Sequence, residues 1–263
     1  MKVAALVDFT EGSRMAFMQG EQMVKRFGGT LYAVHITESK HKSEEAKPHL
    51  QAFIDANNKE GVAVELIVGI GTLFEETGRQ LSLIEPDLVM ICTHGVKGVK
   101  QHLFGAYILR LVQSIPYASV VFQENNKFDL YKLENILFPL GPHEDFDIKI
   151  EQTTKLAKLL SAKVFIYEIQ KPSVGSEPVK TQNTLKAKAY FDQHEVPYEK
   201  VSEDFETFSL GFFRQTISFA NTHGIQLISL MATISKNEMM MKVADKEGFL
   251  VNESGIPIMT CNH

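Results

Sequence analysis

A short segment rich in glycine and lysine follows one of the most apolar runs of this sequence. The run DLVMIC ends at Cys92, and the segment after it leads into the apolar stretch YILRLV, which begins at Tyr107. The segment contains three glycines and two lysines: Gly95, Gly98, Gly105, Lys97 and Lys100. Glycines let a backbone approach a phosphate, N–H groups at a helix start bind anions, and lysines add positive charge. The segment predicts a phosphate-binding turn; the alternative is an ordinary glycine turn with a solvated lysine rim.

An acidic side chain ends the first apolar run of the chain. KVAALV is followed directly by Asp8, and a second β-rich run, TLYAVHI, ends at Ile36. Ligands of open parallel sheets bind beyond the carboxyl ends of the strands, and both residues fall at such ends. A carboxylate in this place suits a sugar hydroxyl or an amine of a ligand.

The other groups that could do chemistry have weaker patterns. No GxxxxGK[ST], GxSxG or HExxH motif occurs, so nucleophilic catalysis has no local motif to support it. His94, His102, His143 and His263 do not share metal-ligand spacing with cysteines or carboxylates, and we expect no metal site. Cys92 ends an apolar strand, where a free thiol is usually buried and inert.

Runs typical of strands alternate with helical patterns. In the first part of the chain the predicted strands are 2–7, 30–36, 62–68, 87–92 and 118–122, and the predicted helices are 11–27, one within 43–60, 73–84 and 107–112. Thr72 and Glu75 fit a capping box that opens the third helix, and Pro48 fits the first turn of the second. This alternation predicts an α/β fold with a doubly wound parallel sheet, covered on both faces.

The second part of the chain repeats the first at a nearly constant offset. Gly141 and Ile169 lie 133 residues after Asp8 and Ile36, at the ends of the corresponding strands. The run QLISLM follows DLVMIC at an offset of 139, and a second Ile-Pro pair follows the first at an offset of 141. The repeat predicts two doubly wound domains in tandem. The alternative is one continuous sheet of generic strand–helix repeats.

Length and composition agree with this division. The chain has 263 residues, a formal net charge of −5 and 44% hydrophobic residues, as in ordinary globular proteins. We assign the domains to residues 1–123 and 134–263, with a polar linker between them. The acidic balance argues against nucleic-acid binding, which needs a basic field. Two cysteines, no signal sequence and no apolar stretch of membrane-spanning length predict a cytoplasmic protein without membrane contact.

In its motifs the chain resembles the universal stress proteins, most closely in its first half. The resemblance rests on ALVDFTEGS at the first strand, VHITE at the second, and the THG segment that leads to a helix, an Ile-Pro pair and a last strand. Nucleotide-binding members of that family carry Gly-x2-Gly-x9-Gly followed by Ser or Thr. Here the pattern reads Cys92-x2-Gly95-x9-Gly105-Ala106, so two of the three glycines match and the hydroxyl is replaced.

The resemblance implies a tandem member with a Rossmann-like, adenine nucleotide alpha hydrolase-like fold. It implies that ATP or AMP is bound by eight residues: Asp8, Phe9, Ile36, Thr93, Gly95, Gly98, Gly105 and Ala106. Asp8 and Ile36 would contact the nucleoside, and Gly95 and Gly105 the phosphates. The missing hydroxyl removes one phosphate hydrogen bond, worth about 1.5–3 kcal/mol. The Cβ at the first glycine position crowds a triphosphate.

The second half lacks the nucleotide motif, with Gly141 in place of the strand-end aspartate and ATISK in place of the THG turn. We therefore expect a stress-associated regulatory protein that binds a nucleotide in the first domain only and is not an enzyme. The alternatives are a structural or protein-interaction module that binds no nucleotide, and a slow ATP hydrolase. The resemblance implies that the last strands join the two halves as an internal pseudo-dimer; a homodimer and an unidentified protein partner are further expectations.

Overall fold

Strands and helices alternate through the computed structural model, which describes residues 1–93, 99–124, 128–141, 143, 145–170, 177–204, 211–234 and 243–263. The first half contains β1 (Lys2–Leu6), α1 (Glu11–Phe27), β2 (Thr30–Thr37), α2 (Lys40–Asn57), β3 (Val64–Ile70), α3 (Leu73–Ile84), β4 (Leu88–Thr93), α4 (Val99–Gln113) and β5 (Ser119–Gln123). The second half contains β6 (Asn135–Pro139), α5 (Phe146–Leu160), β7 (Lys163–Gln170), α6 (Glu177–Gln193), β8 (Tyr198–Asp204), α7 (Phe212–Thr222), β9 (Leu227–Met231), α8 (Val243–Leu250) and β10 (Ile258–Cys261). A 3-10 turn, Leu130–Lys132, lies between the halves.

The ten strands form one sheet in the order β3-β2-β1-β4-β5-β10-β9-β6-β7-β8. All pairs are parallel except one, β5 with β10, where Val121 lies opposite Ile258 and Ser119 opposite Thr260. The order β3-β2-β1-β4-β5 recurs as β8-β7-β6-β9-β10, so each half is a doubly wound unit. The predicted fold class, two doubly wound parallel α/β units in tandem, is confirmed. The sheet is also continuous, because an antiparallel joint links the two units edge to edge.

Two apolar layers cover the sheet, and each runs through both halves. Helices α1, α2, α5 and α6 pack on one face through buried side chains such as Phe17, Leu50, Ile150 and Phe191. Helices α3, α4, α7 and α8 pack on the other face through Leu81, Ile108, Phe219 and Phe249. Since successive side chains of a strand point to opposite faces, β1 supplies Val3 to the first layer and Ala4 to the second.

Side-chain amides cross the joint between the halves. The Nδ2 of Asn262, just after β10, donates to the carbonyls of Val112 and Ile115 at 3.3 and 2.8 Å. Gln113 Nε2 donates to the carbonyl of Ala232 at 3.1 Å. The Asn262 bonds reach carbonyls at and just beyond the end of α4, where few intrahelical donors remain, and the Gln113 bond reaches the carbonyl that follows β9. The halves therefore share polar contacts as well as the β5–β10 ladder.

The bounds of α1 and α3 are those predicted, but two local details are corrected. The capping box at α3 is not formed: Thr72 Oγ1 donates to the Glu75 carboxylate at 3.0 Å and accepts no backbone N–H. Pro48 stands in the middle of α2, because this helix already begins at Lys40, where Ser39 Oγ accepts a bond from the Lys42 N–H. The predicted helix 107–112 is likewise longer, since α4 begins at Val99.

Candidate ligand-binding site

A cavity of about 240 Å³ opens at the carboxyl ends of β1, β2 and β4, between the sheet and helices α3 and α4. Its walls are mostly apolar, and they include Leu6, Ile36, Leu73, Ile108 and Leu111. Its polar lining consists of a carboxylate, an imidazole, a thiol and several hydroxyls, from Asp8, His35, Cys92, Ser13, Thr77, Thr93 and Tyr107. An apolar pocket with a few convergent polar groups is typical of a small-molecule site.

Asp8 stands at the mouth of this cavity and shapes the turn into α1. Its Oδ1 accepts from the N–H and the hydroxyl of Thr10, at 3.1 and 2.5 Å. Thr10 in turn caps α1, since its Oγ1 accepts from the N–H of Ser13 at 3.3 Å. The carboxylate is exposed and is held in place by this turn, so it is oriented before a ligand arrives.

Phe9 adopts a left-handed backbone conformation beside the cavity, with φ of 66°. This conformation is uncommon for an aromatic residue, and it leaves the side chain 41% exposed. The ring lies 4.6 Å, centroid to centroid, from the ring of His35. The Nδ1 of His35 lies 2.7 Å from the carbonyl oxygen of Val7, which holds the imidazole at the strand end. Phe9 thus forms an aromatic surface next to Asp8.

Tyr107, Phe74 and Arg110 stack on the other side of the cavity. The rings of Phe74 and Tyr107 lie 5.1 Å apart, and the Arg110 guanidinium lies 4.3 Å from the Phe74 centroid. Tyr107 is 44% exposed. Partial burial and, secondly, the negative charge of Asp8 raise the pKa of Tyr107. The phenol therefore stays protonated and can donate a hydrogen bond to a ligand.

The strand end of β4 contributes a thiol and a hydroxyl. Burial, followed by the charge of Glu124, raises the pKa of the Cys92 thiol to about 12. The thiol is therefore a poor nucleophile, in agreement with the inert role expected from the sequence. The hydroxyl of Thr93 is buried and donates to the carbonyl of Phe122 at 3.3 Å. Both side chains shape the wall of the cavity.

The predicted phosphate-binding residues are only partly described. Gly95 and Gly98 lie outside the described residues. Gly105 is buried in α4, and a Cβ at this position would lie 3.1 Å from both the Cβ and the carbonyl oxygen of Glu247 in α8. The glycine thus has a packing role that the sequence did not reveal, and its phosphate contact stays a prediction. Ala106 is exposed on α4.

Sequence reasoning missed two buried hydroxyls of the cavity, those of Ser13 and Thr77. Thr77 is the more deeply buried of the two. This residue of α3 is 0% exposed, and its Oγ1 has no hydrogen-bond partner among the residues that the structure describes. The available signal was its position four residues after Leu73, on the inner face of an amphipathic helix. Nothing in the sequence distinguishes such a residue from an ordinary core threonine.

In the second half, lysine side chains reach the carboxyl ends of the strands. Lys246 of α8 does so on the face that corresponds to the first-half cavity, and Lys149 of α5 and Lys180 of α6 do so from the opposite face of the sheet. Three buried ammonium groups donate to carbonyls at the ends of β6, β7 and β9: Lys149 to Pro139 at 2.5 Å, Lys180 to Ile169 at 3.2 Å, and Lys246 to Met231 at 3.0 Å. Gly141, the counterpart of Asp8, accepts a bond from Asn183 at 2.9 Å through its carbonyl. His143 and Lys246 both contact the carbonyl of Thr233. The second half therefore satisfies its strand ends with its own side chains.

Within the described ranges, no group of three or more histidine, cysteine or carboxylate side chains is arranged to hold a metal ion. None of the described helices combines the length and the hydropathy needed to cross a bilayer.

No protein-family model and no curated protein matches the sequence. Solved structures do match the fold. The universal stress protein from Archaeoglobus fulgidus DSM 4304 aligns with a TM-score of 0.64 at 12% identity, over 100% of this chain and 96% of that one. A candidate universal stress protein from Pseudomonas aeruginosa UCBPP-PA14 aligns with a TM-score of 0.59 at 10% identity, over 99% and 93%. The cytoplasmic domain of a prokaryotic cation chloride cotransporter aligns with a TM-score of 0.53 at 11% identity, over 99% and 94%. Along its whole length, this chain has the α/β fold of universal stress proteins.

Proposed function

We propose that this protein is a regulatory binding protein of the universal stress type, which holds one adenine nucleotide in its first half and carries out no catalysis. The observation that carries the proposal is the cavity at the ends of β1, β2 and β4, with the Asp8 carboxylate at its mouth. Ligands of open α/β sheets bind in this position.

The size and lining of the cavity fit the nucleoside end of such a ligand. At about 240 Å³, it is smaller than the roughly 300–1,000 Å³ typical of drug-sized ligand pockets. Its apolar walls suit a heteroaromatic ring, and Asp8 and Tyr107 at its rim suit sugar hydroxyls. The phosphates would lie outside the cavity. In the sequence, Lys97 and Lys100 follow β4, and their positive charge suits such a group.

The restriction to the first half is supported by the buried lysines of the second. Lys149, Lys180 and Lys246 donate to carbonyls at the strand ends of the second half, and Lys246 does so from α8, the counterpart of the helix α4 that lines the first-half cavity. Gly141 offers no carboxylate where Asp8 stands. A nucleotide entering the second half would have to displace ammonium groups from buried carbonyls, and each of those bonds to a charged donor is worth roughly 1.5–3 kcal/mol.

A binding role is favoured over hydrolysis by the state of the groups around the cavity. The thiol of Cys92 and the phenol of Tyr107 both have raised pKa values and stay protonated, so neither acts as a base near neutral pH. Asp8 is the acidic residue that lines the cavity, and its Oδ1 is engaged by the Thr10 turn. The competing proposal is an interaction module that binds no nucleotide. It is supported by Cys92 and Ala106, which replace a glycine and a hydroxyl residue of the nucleotide motif.

Calorimetric titration with ATP and with AMP tests the proposal. We expect one nucleotide per chain, and we expect Asp8→Asn to weaken binding by about tenfold or more, because it removes a charged acceptor. Asparagine keeps an oxygen for the Thr10 turn, so the fold is preserved. Asp192→Asn, on the exposed surface of α6, is the matched control and should bind like the wild type.

Three outcomes would contradict the proposal in different ways. No heat of binding with either nucleotide at millimolar concentration supports the interaction module. Two nucleotides per chain contradict the restriction to the first half. Steady phosphate release that disappears in Asp8→Asn identifies a slow hydrolase.

A further inference from the structure

Thr77 and Thr216 occupy equivalent positions in the two halves. They lie 139 residues apart, at the offset that relates DLVMIC to QLISLM, in the equivalent helices α3 and α7. Both side chains are 0% exposed. The same residue type in the same place of two related helices makes a matched internal comparison.

The two hydroxyls differ in their hydrogen bonds. Thr216 Oγ1 donates to the carbonyl of Phe212, four residues earlier, at 2.7 Å. Two other buried helical threonines do the same, Thr154 to Ile150 at 2.7 Å and Thr184 to Lys180 at 2.8 Å. Thr77 Oγ1 makes no hydrogen bond within the described part of the chain. A buried hydroxyl without a partner is unfavourable, so the exception at Thr77 calls for a physical reason.

The location of Thr77 supplies that reason, because it lines the cavity proposed to bind the nucleoside. Its neighbours in the lining include Leu73, Ile108 and Leu111, which offer a ligand no side-chain hydrogen bond. A charged phosphate would lose its hydration among these side chains, whereas a heteroaromatic ring would not. The ring end of the ligand is therefore the part that reaches the hydroxyl.

We infer that Thr77 is a specificity-determining residue of the first-half cavity, whose hydroxyl makes a hydrogen bond to a nitrogen or amine on the edge of a heteroaromatic base. The inference rests on the proposed function and adds the residue that recognises the base. It also distinguishes the two halves. The Thr216 hydroxyl makes its hydrogen bond within its own helix, whereas the Thr77 hydroxyl makes its hydrogen bond to the ligand.

The test compares Thr77→Val with Thr216→Val by calorimetric titration with ATP. Valine has nearly the shape of threonine without the hydroxyl. Thr77→Val should weaken ATP binding about tenfold, as expected for one buried hydrogen bond. Thr216→Val loses a hydroxyl of equal burial and should leave ATP affinity unchanged. Thr77→Ser keeps the hydroxyl and should stay within about twofold of the wild type.

Nucleoside analogues identify the ring atom. Relative to adenosine, purine riboside lacks the amine, and the 1-deaza, 3-deaza and 7-deaza analogues each lack one ring nitrogen. In a double-mutant cycle, one of these changes should cost affinity in the wild type and cost nothing further in Thr77→Val. If all the analogues lose the same factor in both proteins, Thr77 reads no ring atom and the inference is wrong.

The failures of the inference and of the proposed function are distinguishable. If the wild type binds ATP and Thr77→Val binds it equally well, the inference is overturned and the proposed function stands. If the wild type binds no nucleotide, both are overturned. Should Thr77→Val fold poorly, a crystal structure of the wild-type ATP complex decides the matter. Oγ1 within about 3.2 Å of a ring nitrogen or amine supports the inference, and a longer separation overturns it.

Discussion

The two halves of this protein share one strand order but treat the carboxyl edge of the sheet in opposite ways. In the first half a cavity opens there, lined by Asp8 and by Thr77, whose hydroxyl has no hydrogen-bond partner among the described residues. In the second half, Lys149 and Lys246 reach the same edge and donate to backbone carbonyls. A duplicated fold can therefore keep its packing while a few substitutions decide whether the strand ends face a ligand or the protein's own side chains.

The largest effect is expected from removing a lysine that occupies the second-half edge. Lys246→Met keeps the aliphatic stem but leaves the buried carbonyls of Met231 and Thr233 without this donor. We expect the free energy of unfolding to fall by about 2–4 kcal/mol, measured by urea denaturation. Lys155→Met is the control, because the exposed pair of Lys155 with Glu151 contributes about 0.5 kcal/mol or less.

The same variant also tests whether the second half retains a nucleotide site. If the lysines are structural, nucleotide stoichiometry stays at one per chain in Lys246→Met. A second bound nucleotide would mean that the second half retains a site that the lysine merely blocks. Stability equal to the wild type would mean that the ammonium contributes little to the fold.

A somewhat smaller effect is expected at Gly105, where the phosphate and packing roles make different predictions. The β-branched side chain of Gly105→Val would press on Glu247, because even the Cβ would lie 3.1 Å from its carbonyl oxygen. We expect a loss of about 1–3 kcal/mol in the nucleotide-free protein, measured by urea denaturation. Ala106→Val, at the neighbouring exposed position, is the control and should cost about 0.5 kcal/mol. If Gly105→Val lowers nucleotide affinity without lowering stability, the packing role is wrong.

The effect that is smallest near neutral pH, and that grows only in alkali, concerns Cys92, whose counterpart in the second half is Met231, a residue that does not titrate. Burial raises the pKa of the Cys92 thiol to about 12. The thiol of the unfolded chain ionises near pH 8.5, so above that pH only the unfolded state releases the proton. The stabilising contribution of the protonated thiol is complete below about pH 8.5 and is lost as the pH rises toward 12.

Urea denaturation of the wild type and Cys92→Ala over this range measures the loss. The difference in their free energies of unfolding should be constant between pH 7 and pH 8. It should then shift steadily against the wild type as the pH rises to 11. A difference that does not change with pH would show that the folded thiol ionises as readily as the unfolded one.

The features that depend on neighbours along the chain were predictable from the sequence. The bounds of α1 and α3 and the position of Asp8 at a strand end follow from local apolar patterns and stop signals. The third strands of the two halves, β3 and β8, differ in how well their local patterns predict them. Residues 64–70 carry one charged side chain in an otherwise apolar run, whereas β8 carries four in two adjacent pairs, and no strand was predicted there.

The tandem organisation was also determined by the sequence itself, because equivalent segments of the two halves are separated by nearly constant offsets of 133 to 141 residues. The joint between the two units was expected only from the family resemblance and not from the residue patterns, since it depends on the pairing of Val121 in β5 with Ile258 in β10, far apart in the chain. Pairing between strand edges is a long-range choice that local patterns do not encode.

What only the tertiary structure decided is the role of individual side chains at the edge of the sheet. The sequence predicts Gly105 as a turn residue beside a phosphate, whereas in the structure it packs against α8 of the other half. Thr77 and Thr216 have the same place in their helices, yet within the described ranges only the Thr216 hydroxyl has a hydrogen-bond partner, and the shape of the surrounding core decides this difference. Lys149 looks like any surface lysine, yet it is buried at a strand end. Burial and hydrogen-bond satisfaction belong to a residue's surroundings in space, and most of those surroundings are distant in sequence.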